Sequence, residues 1–166
     1  MNTTDDSLPS NERRPVERLF ANYADDHRNP TNQTIHVVCV PLILWSVIAL
    51  LWLIPVPPAL GRDGAWAGMV MAMAAIYYYR LSRPLGLVMA LKLVAVGFIT
   101  HMLYLGLGAT QLLWLAIGVF VLAWIGQYIG HRYESKKPSF FTDLVYLLIG
   151  PAWVMGKLMR RLRIPL

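Results

Sequence analysis

Apolar residues in this chain come in long uncharged runs. Val37 to Ile54 is 18 residues without a charge, and Leu112 to Gly130 is 19. Each approaches the roughly 20 residues that a helix needs to cross about 30 Å of hydrocarbon. The runs lack the polar and apolar alternation of a barrel strand, and helices are the other structure that satisfies its own backbone in lipid. Five hydrophobic stretches follow: Ile35–Ile54, Ala65–Tyr79, Leu85–Leu107, Leu112–Gly130 and Phe140–Met155. Pro55, Pro57, Pro58, Gly61 and Gly64 mark the first turn, Arg80 to Pro84 the second, and Gly106 to Thr110 the third. Short second and third turns imply antiparallel neighbours in a bundle.

Basic residues orient the runs. Arg13, Arg14, Arg18 and Arg28 precede the first, and Arg62 alone lies in the first loop. Arg80 and Arg83 lie in the second, with Lys92 near enough to snorkel back, and none lies in the third. Arg132, Lys136 and Lys137 follow the fourth run, and Lys157, Arg160, Arg161 and Arg163 the fifth. Alternation puts the N-terminus, the second loop and the fourth loop on the cytosolic side. A fifth full crossing would carry the last basic group to the wrong side. That stretch is also short, contains Asp143 and meets Gly150-Pro151, so it is expected to be broken there and to return to the cytosolic face. The fold class predicted is an all-α integral membrane protein, a bundle of about four transmembrane helices plus a C-terminal re-entrant or interfacial helix. Residues 1–22 are expected to be a cytosolic, partly disordered arm, 23–158 one membrane-embedded catalytic domain, and 159–166 a basic tail.

Composition agrees. The chain of 166 residues is 57% hydrophobic and 14% charged, outside the range of about 45–50% apolar and 25% charged of soluble domains. Asp5, Asp6 and Glu12 precede any apolar stretch, which argues against a cleaved signal peptide and for a first span kept as an anchor. One cysteine, Cys39, excludes an intrachain disulfide and a Cys-rich metal site. The net charge of +6 flanks the spans and forms no groove-like patch, so no nucleic-acid partner is expected.

Chemistry concentrates in the histidines. His27 and His36 precede the first long run, and His131 closes the fourth, so the topology puts all three at the cytosolic interface. Proline at 30 disfavours helix at Asn29. A turn over Arg28–Thr31, with a helix capped near Thr31 or Asn32, would fold His27 back toward His36. Asn29, Asn32 and Gln33 are then candidates to fix the imidazole tautomers. Gln127, His131 and Glu134 fall at i, i+4 and i+7 on one helical stripe. A histidine and a carboxylate three residues apart can share a metal. Glu134 has other roles open to it, on the second imidazole nitrogen or paired with Arg132 or Lys137. Gly126 and Gly130 permit close helix approach. His101 lies inside the third run, about 24 Å along it from Leu85, or about 14 Å if the helix enters near Lys92. A ligand and a satisfied intramembrane histidine bonded to Tyr104 are both open for it. The Tyr77–Tyr79 run and Trp45, Trp52, Trp66 and Trp114 read as interface belts. Imidazoles with one carboxylate and no thiolate suit iron, zinc or copper alike.

Two motifs carry a family resemblance. His27-x-Asn29-Pro30-x-Asn32-x-x-x-His36 followed by Pro41, and Gln127-x-x-Gly130-His131-x-x-Glu134-x-x-x-Pro138 followed by Gly150-Pro151, resemble the 2-hydroxy fatty acid dioxygenase family. The likeness runs from about Tyr23 to Leu158; Ser135-Lys136-Lys137 departs from the family's basic run after the glutamate. The resemblance implies an Fe(II)-dependent dioxygenase that uses O2 to shorten a 2-hydroxy fatty acid by one carbon. It implies His27, His36 and His131 as iron ligands, His101 as the candidate for a fourth family histidine, and Glu134 as a catalytic-site residue. Arg28, Arg132 and Lys136 are candidates to steer the substrate carboxylate, or else topology charges. Two other classes remain: a haem-carrying electron-transfer bundle, which leaves His27 idle, and a non-catalytic membrane protein with structural histidines.

Overall fold

The computed structural model describes residues 14–134 and 140–166, with the backbone only at 60 and 140–147. Its elements are α1 (Pro15–Asp26), α2 (Pro30–Trp52), a 3-10 turn at Pro58–Leu60, α3 (Ala65–Leu81), α4 (Arg83–Leu107), α5 (Ala109–His131) and α6 (Phe140–Arg161). The described residues contain no strand, and the chain is an all-α membrane protein. α2, α4 and α5 are each long and apolar enough to cross a membrane. α3 has 17 residues, about 25 Å of rise, so it is the shortest of the four expected spans. Leu91 is 71% exposed on α4 and Leu122 69% on α5. Large apolar side chains so exposed along whole helices are what a hydrocarbon solvent accepts and water does not.

α2 is the central element. Its Ile35, Cys39, Ile43 and Val47 pack with Phe120 and Ala123 of α5. Leu44, Ile48, Leu51 and Trp52 meet Ala67 and Met71 of α3 and Leu93 of α4. α3 and α4 form a hairpin so close that a Cβ on Gly86 would stand 2.3 Å from the Tyr79 Cα. Between α4 and α5 the chain reverses at Gly108, whose φ of 78° favours glycine.

The two ends of the bundle differ. At one, Tyr104 donates to Asp63 at 3.2 Å and the Trp66 indole to the Pro55 carbonyl at 3.1 Å. At the other, α1 and α6 lie together across the starts of α2 and α4 and the end of α3. Val16, Phe20 and Tyr23 of α1 are buried in one cluster with Ile149, Trp153 and Met159 of α6, Tyr78 of α3, and Leu85 and Met89 of α4. Tyr78 donates to the Leu148 carbonyl at 2.6 Å, and it is 2% exposed. The aromatic belt expected of Tyr77–Tyr79 therefore loses its middle member to packing.

The end of the arm expected up to residue 22 is helical, as part of α1, whose Val16, Phe20, Tyr23 and His27 recur at i, i+4, i+7 and i+11 and make one apolar stripe. Two local expectations are corrected. The cap of α2 is Asn29, whose side chain accepts from the Thr31 and Asn32 amides, with Pro30 at the first helical position. Gly150-Pro151 does not break the last segment: α6 continues to Arg161. Proline there costs one backbone bond, and burial of Ile149, Ala152 and Trp153 on either side holds the helix. Beyond it, Leu166 is also buried, and its carbonyl accepts from the Arg14 guanidinium at 2.5 Å.

Candidate metal centre

His27 caps the C-terminus of α1, and only residues 27–29 separate α1 from α2. So short a connection folds α1 back against the start of α2 and sets His27 beside His36, one turn and a half into α2. Their ring centroids are 4.4 Å apart. Tyr23, a turn before His27, stacks on it at 4.1 Å and 12°. Trp153 of α6 closes the outside, 5.1 Å from Tyr23 and 6.5 Å from His27.

His131 arrives on the last residue of α5. It reaches the pair because α2 and α5 are in close contact at that end. A Cβ on Gly126 would stand 2.7 Å from the Cys39 sulfur, and one on Gly130 2.5 Å from Asn32 Oδ1. The expectation that these glycines permit close approach holds. Ring centroids lie 5.1 Å from His131 to His36 and 5.3 Å to His27.

One ligand atom from each of the three histidines lies within 4.8 Å of the others, a group able to hold a metal ion. The protonation pattern suits that use. His27 Nδ1 is 2.7 Å from the Tyr23 carbonyl and His36 Nδ1 3.0 Å from the Asn32 carbonyl. A carbonyl only accepts, so each Nδ1 carries a proton and Nε2 is the nitrogen left to face a metal. Both rings are 2% exposed and His131 is half-buried. Buried imidazoles oriented by a hydrogen bond on the second ring nitrogen are the usual arrangement of histidine at a metal. Backbone carbonyls thus do the work that Asn29, Asn32 and Gln33 were expected to do.

Those three residues brace the turn instead. Glu134 accepts from the Asn29 amide at 2.9 Å and from Asn32 Nδ2 at 2.8 Å, while Asn29 Nδ2 donates to the Tyr133 carbonyl at 3.3 Å. Gln33 Nε2 donates to the His27 carbonyl at 2.6 Å, and Lys157 Nζ donates to Gln33 Oε1 at 2.6 Å. Glu134 is therefore outside the converging ligand group; its carboxylate is occupied by the α1–α2 turn. Partial burial raises its pKa, but the hydrogen bonds from Asn32, Asn29 and the Arg28 backbone outweigh this and hold the carboxyl below its usual range.

His101 does not join the cluster. Its ring lies 5.6 Å from Trp52, at the far end of α2. Sixteen residues separate Trp52 from His36, about 24 Å of helix. The greater of the two depths open to His101 is the one observed, and Tyr104 is bonded to Asp63. Of the expected steering cations, Arg28 pairs with Asp25 at 3.1 Å on the surface, Arg132 is exposed, and Lys136 lies outside the described residues, as does the side chain of Asp143. One cation that the sequence did not single out lies beside the site: Lys157, 4.2 Å over the Trp153 ring.

A cavity of about 60 Å³ opens on the cluster. His27, His36 and His131 form its polar side with Gln127; Val40, Ile43, Leu44 and Trp124 form an apolar side deeper along α2 and α5.

Fold and site together define a helical membrane protein with a buried trihistidine centre at one end of its bundle. Residues 13–162 match the model of the Mpo1-like family, described as 2-hydroxy-palmitic acid dioxygenase Mpo1-like, and the chain belongs to that family. The 2-hydroxy-palmitic acid dioxygenase MPO1 of Saccharomyces cerevisiae is similar to it, 27% identical over 140 residues that cover 82% of this chain and 75% of the yeast protein. No solved structure matches.

Proposed function

We propose that the protein is an Fe(II)-dependent membrane dioxygenase that shortens 2-hydroxy fatty acids by one carbon. The observation that carries this reading is the convergence of three imidazoles, two of them with Nδ1 committed to backbone carbonyls, on one small cavity. Membership of the Mpo1-like family supplies the reaction class. His27, His36 and His131 would hold the iron through their remaining nitrogens. When bound, Fe(II) supplies open positions at which O2 and the polar head of the substrate come together.

The rest is the work of the chain itself. Tyr23 and Trp153 cover the outer face of His27 and keep bulk water from it. Val40, Ile43, Leu44 and Trp124 offer an apolar wall to the first carbons of the acyl chain, whose remainder lies among the spans. Glu134 acts by position, tying the end of α5 to the turn that carries His27 and to the start of α2. We take the histidine end of the bundle as cytosolic, on the charge distribution around the spans.

Purified protein given Fe(II), O2 and 2-hydroxypalmitate should release the acid one carbon shorter. His27→Ala, His36→Ala and His131→Ala should each lose bound iron and the product together, whereas His101→Ala should keep both. Wild type with iron bound and no shortened acid would defeat the reaction; iron content unchanged across the three variants would defeat the site.

A further inference from the structure

Four buried side-chain atoms among the described residues have no hydrogen-bond partner: Asn32 Oδ1, the indole nitrogens of Trp45 and Trp52, and Gln127 Oε1. Of these residues only Gln127 lines the cavity. Asn32 Oδ1 faces Gly130, and its amide nitrogen is engaged by Glu134. Gln127 is 5% exposed and sits one helical turn below His131 on α5. Its neighbours in the lining are polar rings, the histidines and Tyr23, and an apolar wall of Val40, Ile43, Leu44, Trp124 and Pro151; none of them bonds Gln127 Oε1.

An amide oxygen buried without a donor is costly, and an apolar side chain of the same shape would remove that cost. A bare acceptor kept in a binding cavity is accounted for if the ligand brings the donor. This deepens the proposed function and rests on it. The ionised head of a 2-hydroxy acid has one donor, the 2-hydroxyl, since the carboxylate only accepts. The carbon bearing that hydroxyl is the junction between head and chain. Gln127 occupies the matching junction of the cavity, between the polar and the apolar lining. We infer that Gln127 is the residue that reads the 2-hydroxyl of the substrate, its Oε1 accepting the hydroxyl proton, and so separates 2-hydroxy acids from ordinary fatty acids.

A site built around a hydrogen bond to a substrate hydroxyl rejects the analogue lacking it far more strongly than an apolar pocket could. The test is competition binding of 2-hydroxypalmitate and palmitate to the iron-loaded protein without O2, where no turnover intervenes. Wild type should prefer the hydroxy acid by about tenfold or more, and Gln127→Met should bring the ratio close to one. Gln127→Glu keeps an acceptor oxygen, so it should retain the preference while binding both acids less well. Iron content should be unchanged, and the Tm of Gln127→Met should be no lower than that of wild type, because an unpaired amide has been removed. A preserved ratio in Gln127→Met overturns the assignment, as does loss of iron, which would make Gln127 a ligand. A lowered Tm also overturns it, by making the role structural. Product formation by wild type in O2 is read separately: shortened acid with an unchanged ratio in Gln127→Met sinks this inference and spares the proposed reaction.

Discussion

His27 and His36 each give the Nδ1 proton to a carbonyl four residues earlier, so the helices that carry the rings also choose their tautomer. No side chain has to be recruited for that task, which leaves Asn29, Asn32 and Gln33 to hold the turn. Glu134 brings a negative charge to that turn. Its folded pKa is depressed, so its contribution to stability is complete above the unfolded value of about 4.3 and is lost as pH falls through the lower folded value. The stability gap between wild type and Glu134→Gln should therefore be constant from pH 7 to about 5 and narrow only at more acid pH. Thermal unfolding of both proteins in detergent across that range measures the gap. A gap that widened on acidification would mean that the carboxylate is not the form that braces the turn. The spacing of Gln127, His131 and Glu134 on one stripe was legible in the sequence; that Glu134 turns away to Asn29 and Asn32 was not, because its partners are about a hundred residues distant in the chain.

At the scale of elements, the site depends on how closely α2 and α5 approach. Gly130 has no room for a methyl group: the added Cβ would stand 2.5 Å from Asn32 Oδ1 and 3.3 Å from Ile35. Gly130→Ala should push Asn32 aside, loosen its bond to Glu134, and cost about 1–3 kcal/mol of stability as overpacking typically does. Because His131 is the next residue, iron affinity should fall in the same variant. Gly118→Ala, on the same helix with open space around its Cβ, is the control and should change neither. Equal Tm and iron content in Gly130→Ala and wild type would show that the seam tolerates more than its geometry allows. The close approach itself was expected from Gly126 and Gly130. The helix α1 was not, although its stripe Val16, Phe20, Tyr23 and His27 is a regular one. Glu17, Arg18, Asp25 and Asp26 interleave with it and make the segment read as a polar arm, and only its partner α6 shows where the apolar face goes.

At the scale of the molecule, the bundle has a chemical end and a quiet end. The three histidines, α1 and α6 gather at one; His101, Trp52, Asp63 and Tyr104 lie at the other. With Cys39 replaced by alanine, single cysteines at exposed Arg62 and Arg80 should report the two sides. A membrane-impermeant maleimide on intact cells should label Arg62→Cys, and Arg80→Cys only after permeabilisation. The opposite pattern would put the trihistidine end outside and reverse the proposed orientation. Separation of the two ends also counts against a haem held between His101 and another histidine, since His101 lies beside Trp52, about 24 Å along α2 from His36.

The sequence by itself determined that this is a helical membrane protein. Charge-free runs near span length leave the backbone no other way to be satisfied in lipid. It also led to the expectation that His27, His36 and His131 share an end, from the basic loops and span lengths around them, while the depth of His101 stayed open. What it could not determine was distance within the plane. Bringing His131 to His27 and His36 requires α5 to lie against α2, with α1 folded back over both, and such neighbour relations follow from side-chain fit at Gly126, Gly130, Cys39 and Tyr23. Tertiary packing alone decided that three imidazoles meet, that the fourth is excluded, and that Gln127 faces the same cavity with its oxygen unpaired.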